Sequence, residues 1–575
     1  VGTRQVSRRP LRTAGPALLL VMTVAVGILS VVTGVTWRQS QLDQADFQAG
    51  TDLRISAPSD QVSPAFAGQG GRYAGLPGVS AVSPVLRDTG STGSTDVTVL
   101  AADATKLGGM LRTRAGRPPD ASLARLAAAG THAAAVPVPG RPERLSVGLR
   151  AGPAATGGPI SLTMIISDAL HASYEVSVGD VPSDGKTHTQ VVDLSGLAGR
   201  DGVISYPVAV RGFRFTYVRP PENPPASLSV TAIRPETGGG PRPALRVPKG
   251  ARWSAQATLS AGTGNTLDIR SGGLMTARLP TTFDPYNSTP QVIGGMVLRN
   301  GTTPSARGRP APPGPIPAIV SANLAARAHV AADGRLDLNE NGVEQPLTVV
   351  AIVPALPTTS AGAPAVLVDW SALTDEALGT GGAAPTPTEW WLGTRGGDSA
   401  PAALTLGAHP AWAGATVDRT ALRHRLRDAP LGGALQGALL LGFGAALVFA
   451  AIGFAVNTAV SARERVTEFA ILRALGVNGR QVLGLVAVEQ AFLVGLGLAG
   501  GLLLGIVVAR LVVPHVVLTV SATAPYPPAH VIMQWPVILA MLAAIVVLLT
   551  GVLLLLVHSL RRGGPGQAMR LGEDR

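Results

Sequence analysis

The stretch that decides the fold is the apolar run from Val537 to Val557, whose sequence is VILAMLAAIVVLLTGVLLLLV. It contains 15 Leu, Ile or Val residues and no charged residue. A helix needs about 20 predominantly apolar residues to cross a bilayer, and each of these side chains favours insertion by about 0.3–0.6 kcal/mol near the helix centre. The run therefore predicts a membrane-spanning helix.

Three further runs have the same character, at 14–35, 431–460 and 481–509. The chain of 575 residues is therefore expected to cross the membrane four times. The predicted segments are a tail at 1–13, spans at 14–36, 431–460, 481–509 and 535–558, a large region at 37–430, a short segment at 461–480, a loop at 510–534 and a tail at 559–575.

The distribution of charge predicts the orientation of these spans. The segments 1–13, 461–480 and 559–575 together hold a net +8 of the formal net charge of +12, whereas the loop from Leu511 to Trp535 holds no charged residue. Short Arg-rich segments stay in the cytoplasm. Both termini and the segment 461–480 are therefore expected to be cytoplasmic, with 37–430 outside. The basic excess is a topology signal and does not predict nucleic-acid binding.

The N-terminus allows a second interpretation, since Arg8-Arg9 within 7–12 is similar to a twin-arginine export signal. The apolar run is longer than the 7–15 residues of a signal-peptide core, and no Ala-x-Ala site follows it. An uncleaved first span is therefore the favoured interpretation. Because the chain begins with Val1, it is also open to being the later part of a longer polypeptide.

The large region is expected to combine an α+β core at 37–143 and 236–430 with an inserted all-β sandwich at 144–235. Alternating apolar residues predict strands at 160–166, 174–178, 206–210, 213–217 and 228–230, and Pro/Gly-rich stretches flank the insertion. In the flanks, 97–101 is predicted as a strand, 318–331 as a strand then a helix, and 335–352 as a hairpin. The expected fold class is thus a membrane protein with a bundle of four transmembrane helices and a large extracytoplasmic α+β domain that carries a β-sandwich.

No stretch of the sequence predicts an enzyme. The absence of Cys excludes disulfides, thiolate zinc sites and Cys nucleophiles. Gly185-Lys186-Thr187 lacks the earlier glycine of a phosphate-binding loop, because Asp180 stands there. The segment that begins at Asp337 resembles half of a calcium loop, but Thr348 occupies the position of the bidentate Glu, so a hairpin turn is favoured. The chain is expected to bind no metal or cofactor itself.

Small residues in the third span predict close helix packing. Gly497, Gly501 and Gly505 recur every four residues and so share one helix face. The partner of this face is either another helix of the same chain or a second copy. Glu489 in the same span is expected to face other helices or the cytoplasmic interface, because a carboxylate facing lipid is costly. A structural hydrogen bond is favoured over a proton or ion site.

The segment 461–480 carries the most specific signal. Its sequence, SARERVTEFAILRALGVNGR, predicts a helix that leaves the membrane and ends at Gly476. Its apolar residues need a surface on which to be buried, which indicates a docking partner; the alternative is a helix lying on the lipid surface. The residues assigned to this coupling segment are Arg463, Glu464, Glu468, Phe469, Leu472, Arg473 and Gly476.

At these residues the chain resembles the FtsX-like/MacB-like permease family of ABC transporters. The family's Arg-Glu…Glu…Leu-Arg-Ala-x-Gly element is matched at 463–476, and Gln481, Val482 and Glu489 match the helix that follows. The order of one span, a large outer domain and three spans also matches, as does the Leu-Pro-Gly-Val-x-x-Val run at 76–82. The resemblance covers about 14–138 and 317–560, and the insertion departs from the compact family pattern.

The resemblance implies a non-catalytic permease half in the bacterial plasma membrane. Two such halves would pair, in a homodimer or with another permease, and separate ABC ATPase subunits would bind ATP and Mg and dock on the coupling segment. ATP-driven motion would then reach the outer domain mechanically, for export of a lipid-linked, peptide or antibiotic substrate. Membrane lipid is an expected partner and nucleic acid is not.

Two alternatives remain open. The first is a signalling switch with the same fold that controls an external partner. The second is a membrane-anchored protein whose β-sandwich binds carbohydrate or cell wall. Four spans and a structured inner segment favour the permease over such an anchor, which needs only one span.

Overall fold

The computed structural model describes residues 10–56, 68–114, 116–130, 134–152, 158–198, 202–218, 227–237, 240–259, 265–266, 269–270, 274–279, 291–300, 314–340, 343–379, 382–428, 430–464, 479–517 and 525–562. The chain divides into two compact units. The membrane unit comprises residues 1–45 and 423–575, and the β-rich unit comprises residues 46–422.

The α-helices are, in chain order, α1 (Pro10–Ala49), α2 (Gln69–Ala74), α3 (Ala104–Met110), α4 (Asp120–Gly130), α5 (Ala322–Arg327), α6 (Trp370–Gly379), α7 (Ala400–Ala408), α8 (Arg419–Arg427), α9 (Pro430–Glu464), α10 (Gly479–Val516) and α11 (Trp535–Arg562).

The strands, again in chain order, all begin after α1. They are β1 (Leu53–Ser56), β2 (Val79–Thr92), β3 (Thr95–Ala102), β4 (Val136–Val138), β5 (Arg144–Ala151), β6 (Ile160–Ser167), β7 (Ser173–Val181), β8 (Thr187–Asp193), β9 (Val208–Val218), β10 (Ser227–Thr237), β11 (Gly240–Pro241), β12 (Ala251–Leu259), β13 (Asn265–Thr266), β14 (Ile269–Arg270), β15 (Met275–Arg278), β16 (Gln291–Asn300), β17 (Ile316–Ser321), β18 (Arg335–Glu340), β19 (Val343–Val353), β20 (Ala365–Asp369), β21 (Glu389–Thr394) and β22 (Thr416–Asp418).

Four of the described helices, α1, α9, α10 and α11, are long and apolar enough to cross a membrane, as predicted. The apolar window of α1 is 56% buried, whereas those of the other three are only 11–17% buried. In the membrane unit, Val24, Ile28 and Val32 of α1 lie in one apolar core with side chains from the other three helices. The first helix therefore forms the centre of the bundle. The orientation of the bundle stays a prediction.

The first helix is longer than the predicted first span, because it continues to Ala49. The residues after position 36 include Gln39 and Asp43, one turn apart, whose side chains are joined by a hydrogen bond of 3.0 Å. The hydropathy pattern predicts the end of this helix too early, because the polar residues that extend the helix beyond the span give no apolar signal.

A nine-stranded mixed sheet organises the β-rich unit, in the order β18-β19-β17-β20-β3-β2-β21-β1-β22. Strand β18 also meets β2, at Asn339 and Ser91, so six of the strands close into a ring. Gly90 permits this closure, because a Cβ atom there would lie 2.9 Å from the carbonyl oxygen of Asn339. The ring encloses an apolar core that includes Val97, Val99, Ala318, Val320, Leu336, Leu338, Leu347, Val349, Val366 and Val368.

The predicted elements of this sheet are confirmed. The segment 97–101 lies in β3, and 318–331 begins with β17 and continues into α5. Ser321 caps α5, since its hydroxyl accepts a hydrogen bond from the backbone N–H of Leu324. Strands β18 and β19 form the predicted antiparallel hairpin, in which Asp337 and Asn339 are strand residues.

Two further sheets enclose a second apolar core. One has the order β14-β15-β10-β5-β8 with β11 attached, and the other has the order β13-β12-β16-β9-β6-β7 with β4 attached. Both contribute to one cluster of buried side chains, among them Leu145, Val147, Met164, Phe213, Phe215, Val230, Met275 and Met296. We call residues 136–300 the two-sheet region.

The strands of the two-sheet region extend beyond the predicted insertion at 144–235. Strand β16 lies between β12 and β9, and β15 pairs with β10, so residues up to Asn300 belong to these sheets. The Pro-rich stretch 235–248, which is predicted as a boundary, begins within β10, includes β11 and ends before β12, so it does not separate these sheets from the next part of the chain. Only pairing between segments distant in sequence reveals this.

The segments 206–210 and 213–217, predicted as two strands, form the single strand β9. Against β6, the register shifts between Val210 and Gly212, so Arg211 is the extra residue of a β-bulge. The bulge moves the buried face from even to odd positions, and Val208, Val210, Phe213 and Phe215 are all buried. The break in alternation therefore marks a bulge and not a chain break.

The bulge aims Arg211 at helix α6. The side chain of Arg211 forms an ion pair with Asp375, and both side chains are 10% exposed. Arg299 of β16 contacts the same helix, because its Nη2 atom donates a hydrogen bond of 3.2 Å to the carbonyl oxygen of Asp375. Between these contacts, Ile165 and Val297 pack with Leu378. The two-sheet region is thus attached to the nine-stranded sheet through α6.

A second attachment is made by the turn between β6 and β7. The indole Nε1 of Trp370 donates a hydrogen bond of 2.8 Å to the carbonyl oxygen of His171, and the Nδ1 of His171 lies 3.1 Å from Asp103. Asp168 closes the turn by accepting hydrogen bonds from the backbone N–H groups of Leu170 and Ala172. Burial raises the pKa of Asp168 to about 6, against the opposing effect of these bonds.

One buried carboxylate connects four separate segments of the β-rich unit. Asp52 is fully buried and accepts hydrogen bonds from Arg112, 2.8 Å away, and from the backbone N–H of Thr394, 2.9 Å away. Arg419, at the start of α8, forms an ion pair with it at 3.0 Å. Burial raises the pKa of Asp52, but the Arg112 hydrogen bond, the backbone N–H and the two arginine charges outweigh burial and lower it overall.

Replacement of Asp52 is therefore expected to destabilise the protein strongly. Asp52→Asn removes the charge that two arginines share, and we expect the free energy of unfolding at neutral pH to fall by about 3–5 kcal/mol. Because folding lowers the pKa of Asp52, its stabilisation is complete above the ordinary value of 3.8 and is lost as pH falls below it. Denaturant unfolding in detergent at several pH values measures this.

The control is Asp96→Asn, at an exposed position of β3. It should leave the unfolding midpoint within experimental error of the wild type. If Asp52→Asn and Asp96→Asn unfold alike at neutral pH, the role given to Asp52 is wrong.

Candidate functional site

The coupling segment lies between the ends of two long helices. Arg463 and Glu464 are the last two residues of α9, and α10 begins at Gly479. Glu468, Phe469, Leu472, Arg473 and Gly476 lie outside the described residues. The assignment of all seven residues to the coupling segment therefore stays a prediction.

The glycines of the third span form the contact between α10 and α1. A Cβ atom on Gly501 would lie 2.5 Å from the Cβ atom of Val24, a separation that real side chains essentially never show. Similar atoms on Gly497 and Gly505 would lie 2.7 Å from Leu20 and 2.9 Å from Ile28. Each glycine thus faces a large side chain one turn further along α1, and any side chain at these positions would push the helices apart.

The structure also shows which helix of the chain these three glycines contact. Of the two alternatives, another helix of the same chain fits the geometry at Gly497, Gly501 and Gly505, because α1 occupies the space in front of them. Gly433 and Gly437 of α9 differ, since no described atom lies within 4 Å of a Cβ built on either.

Helix α1 contributes small residues of its own that were not predicted from the sequence. Gly27 faces Phe443 of α9 and Met541 of α11, at 2.6 and 2.7 Å from a built Cβ atom, and Gly34 faces Gln436 of α9 at 2.7 Å. The spacing of seven residues places both glycines on one helix face, which is the signal that identifies them. Both glycines face side chains of α9. Glycines therefore allow α1 to approach α9 closely, as the glycines of α10 allow α10 to approach α1.

Polar groups add directed contacts to this packing. The hydroxyl of Thr23 lies 3.0 Å from the carbonyl oxygen of Ala446 in α9, and 2.7 Å from that of Leu19 in its own helix. The backbone N–H of Ile532, in the segment before α11, donates a hydrogen bond of 3.1 Å to the hydroxyl of Thr36. These hydrogen bonds fix the position of α1 along its axis relative to α9 and to the segment before α11.

Glu489 lies half-buried in α10, next to the buried Gln490. A cavity of about 20 Å³ is lined by Gln490, by Asn457 of α9 and by apolar residues that include Leu20 and Phe454. The Oε1 atom of Gln490 accepts no hydrogen bond from any described residue. The volume suffices for one water molecule, which would satisfy this atom.

The described residues bring together no group of three or more His, Asp or Glu side chains that could hold a metal ion. Gly185 and Lys186 lie in the turn between β7 and β8, where Arg150 donates a hydrogen bond of 2.7 Å to the carbonyl oxygen of Gly185. That setting differs from the strand-to-helix turn of a phosphate-binding loop.

Comparison with known families identifies one match. The family model described as FtsX-like permease C-terminal matches residues 440–565, a range that takes in most of α9, all of α10 and α11, and the predicted coupling segment. No curated protein matches the chain significantly.

The contact between α10 and α1 predicts a position-specific effect of adding volume. Gly501→Val is expected to destabilise the bundle by about 1–3 kcal/mol, because its side chain would overlap Val24. Gly495→Val in the same helix is the matched control, since a Cβ atom there meets nothing within 4 Å. Thermal denaturation of the detergent-solubilised variants measures the difference, and equal midpoints would show that this packing is wrong.

Proposed function

We propose that this chain, whose residues 440–565 match the model described as FtsX-like permease C-terminal, is an FtsX-like ABC permease subunit that couples ATP hydrolysis on a separate chain to a conformational change of its β-rich unit. The family match across the last three membrane helices is the observation that carries the proposal. Members of this family are generally non-catalytic membrane subunits that work with an ABC ATPase.

Helix α9 has the properties of a rigid lever. It is continuous over 35 residues, from Pro430 to Glu464, which corresponds to about 50 Å at 1.5 Å per residue. Its single proline stands at its first position, where it does not interrupt helical hydrogen bonding. A displacement applied near Arg463 and Glu464 would therefore be carried along the whole helix.

The coupling segment is the proposed docking site for the ATPase. At most 14 residues separate the end of α9 from the start of α10, so a partner that binds them acts on both helices. In this proposal Phe469 and Leu472 enter an apolar groove of the partner, and Glu468 and Arg473 pair with its charges. ATP and Mg would bind to that partner and not to this chain.

The β-rich unit is the proposed receiver of the motion. Within it, the two-sheet region is attached to α6 by the Arg211–Asp375 ion pair and by the Trp370–His171 hydrogen bond. Because Arg211, Asp375 and Trp370 are buried, a movement of the nine-stranded sheet would move the two-sheet region with it. We propose a MacB-like mechanism of mechanical transmission that exports a lipid-linked, peptide or antibiotic substrate.

A second permease half is part of the proposal. Helices α9, α10 and α11 expose large apolar side chains that the described part of the chain does not cover, among them Leu441, Val488, Leu503, Val547 and Leu555. Lipid covers such side chains in a monomer, and a second half would cover some of them in a dimer. The proposed location is the bacterial plasma membrane, with both termini in the cytoplasm.

The coupling segment gives the test of this function. Glu468→Lys, Arg473→Glu and Leu472→Asp are each expected to abolish co-purification of the ATPase subunit from detergent-solubilised native membranes. The reason is that each change places a wrong charge on the proposed docking surface. Mass spectrometry of the purified complex identifies the ATPase by its nucleotide-binding motifs.

Two controls separate docking from folding and from general charge. Leu472→Ile keeps the apolar surface and should retain the ATPase, and Arg570→Glu makes the same charge change in the predicted cytoplasmic tail. All variants should reach the membrane at wild-type amounts. Undiminished co-purification in the first three variants would refute the docking role.

A further inference from the structure

Helix α8 is a short basic helix that directly precedes the second membrane-spanning helix. Its nine residues, RTALRHRLR, include four arginines and one histidine. None of its residues is buried. The segment differs from the other arginine-rich segments near the membrane, because the predicted orientation places it on the outer face.

The two ends of α8 are in different environments. Arg419 at its start is engaged with Asp52 and is only 11% exposed. Near its end His424, Arg425 and Arg427 are exposed, while Leu422 and Leu426, one turn apart, are half-buried. The cationic side chains of the C-terminal half are thus directed to solvent. The nearest acidic residue in sequence is the exposed Asp428, which leaves this half with a net positive charge.

The covalent chain holds these arginines close to the membrane surface. The membrane-spanning window of α9 begins at Gly433, only six residues after Arg427. The three residues from Arg427 to Pro430 span at most about 11 Å, and the helical rise from Pro430 to Gly433 adds about 4.5 Å. Arg427 therefore lies at most about 15 Å from the hydrocarbon boundary, which keeps its long side chain near the headgroup layer, about 5–8 Å deep on each side of the bilayer.

We propose that Arg425 and Arg427 form an interaction surface for the headgroups of anionic phospholipids. The guanidinium group binds a phosphate oxygen pair through two parallel hydrogen bonds. Each arginine near an anionic membrane surface contributes about 1 kcal/mol to the attraction. The surface would hold α8 against the bilayer at the start of α9. This inference goes beyond the proposed function, since it requires no ATPase and no particular orientation of the bundle.

The absence of Cys from the chain permits a reporter at this one place. Ala421→Cys, at an exposed position of α8, is labelled with a fluorophore in the otherwise wild-type full-length protein. The protein is reconstituted into phosphatidylcholine nanodiscs with increasing fractions of phosphatidylglycerol that carries a spin-labelled headgroup. Quenching of the fluorophore then reports the local concentration of the anionic lipid at α8 and not at the cytoplasmic arginines.

We expect quenching to exceed that produced by spin-labelled phosphatidylcholine at the same fraction. Arg425→Gln/Arg427→Gln should weaken the local preference for phosphatidylglycerol by about 30-fold, which is the ratio equivalent to the loss of two such arginines. Raising NaCl from 0.1 M to 1 M should reduce the wild-type preference, because the screening length falls from about 10 Å to about 3 Å.

The matched control is Arg246→Gln/Arg335→Gln, which removes the same charge at two exposed positions of the β-rich unit. It should leave the quenching unchanged. Equal quenching in the α8 variant and the wild type would overturn the proposal, and so would an equal loss in the control variant. Displacement of the spin-labelled lipid by soluble glycerol phosphate would also overturn it, because the site would then bind free phosphate and not a lipid surface.

Discussion

The close approach of α10 to α1 is the contact on which the membrane unit depends. Inside a bilayer, lipid tails compete equally for apolar side chains, so helices associate through close packing and not through the hydrophobic effect. Gly497, Gly501 and Gly505 supply that packing, because each removes the side chain that would separate the two backbones. Helix α1 then serves as the surface on which the other three helices assemble.

The β-rich unit follows a different physical rule. Its parts are held by buried charges and directed hydrogen bonds as well as by apolar cores. Asp52 joins segments that are hundreds of residues apart in sequence, and Arg211 connects the two-sheet region to α6. Breaking such a pair leaves an uncompensated charge in the interior, which costs several kcal/mol. These contacts therefore make the unit resistant to partial opening, which would suit the proposed role of the unit as a receiver of mechanical force.

The two kinds of packing suit the proposed roles, in which the membrane helices transmit a displacement and the β-rich unit receives it. Continuous helices such as α9 carry displacement along their length with little deformation, whereas the segment between α9 and α10 is short enough for one partner to act on both. The small-residue contacts of α1 with α9 and α10 would couple those two helices to a third. Basic helix α8 directly precedes the membrane-spanning part of α9. Its proposed attachment to lipid would hold that end of α9 in place while the other end moves.

The amino-acid sequence determined the elements that depend on local patterns. Long apolar runs require membrane-spanning helices, because only a helix satisfies every backbone hydrogen bond within one segment in lipid. The alternating pattern at 335–352 required a hairpin, and the glycine spacing of the third span required a close helix contact. The match of residues 440–565 to a permease family agrees with the resemblance recognised at the coupling segment.

Tertiary structure decided what depends on residues distant in sequence. Nothing local shows that β16 would lie between β12 and β9, or that β18 would meet β2 and close a ring. The bulge at Arg211 looked like a break between two strands, because a change of alternation has the same local pattern in both cases. The partners of Gly501 and of Asp52 likewise became known only from the fold, since a sequence specifies which residue is small or charged but not what stands opposite it.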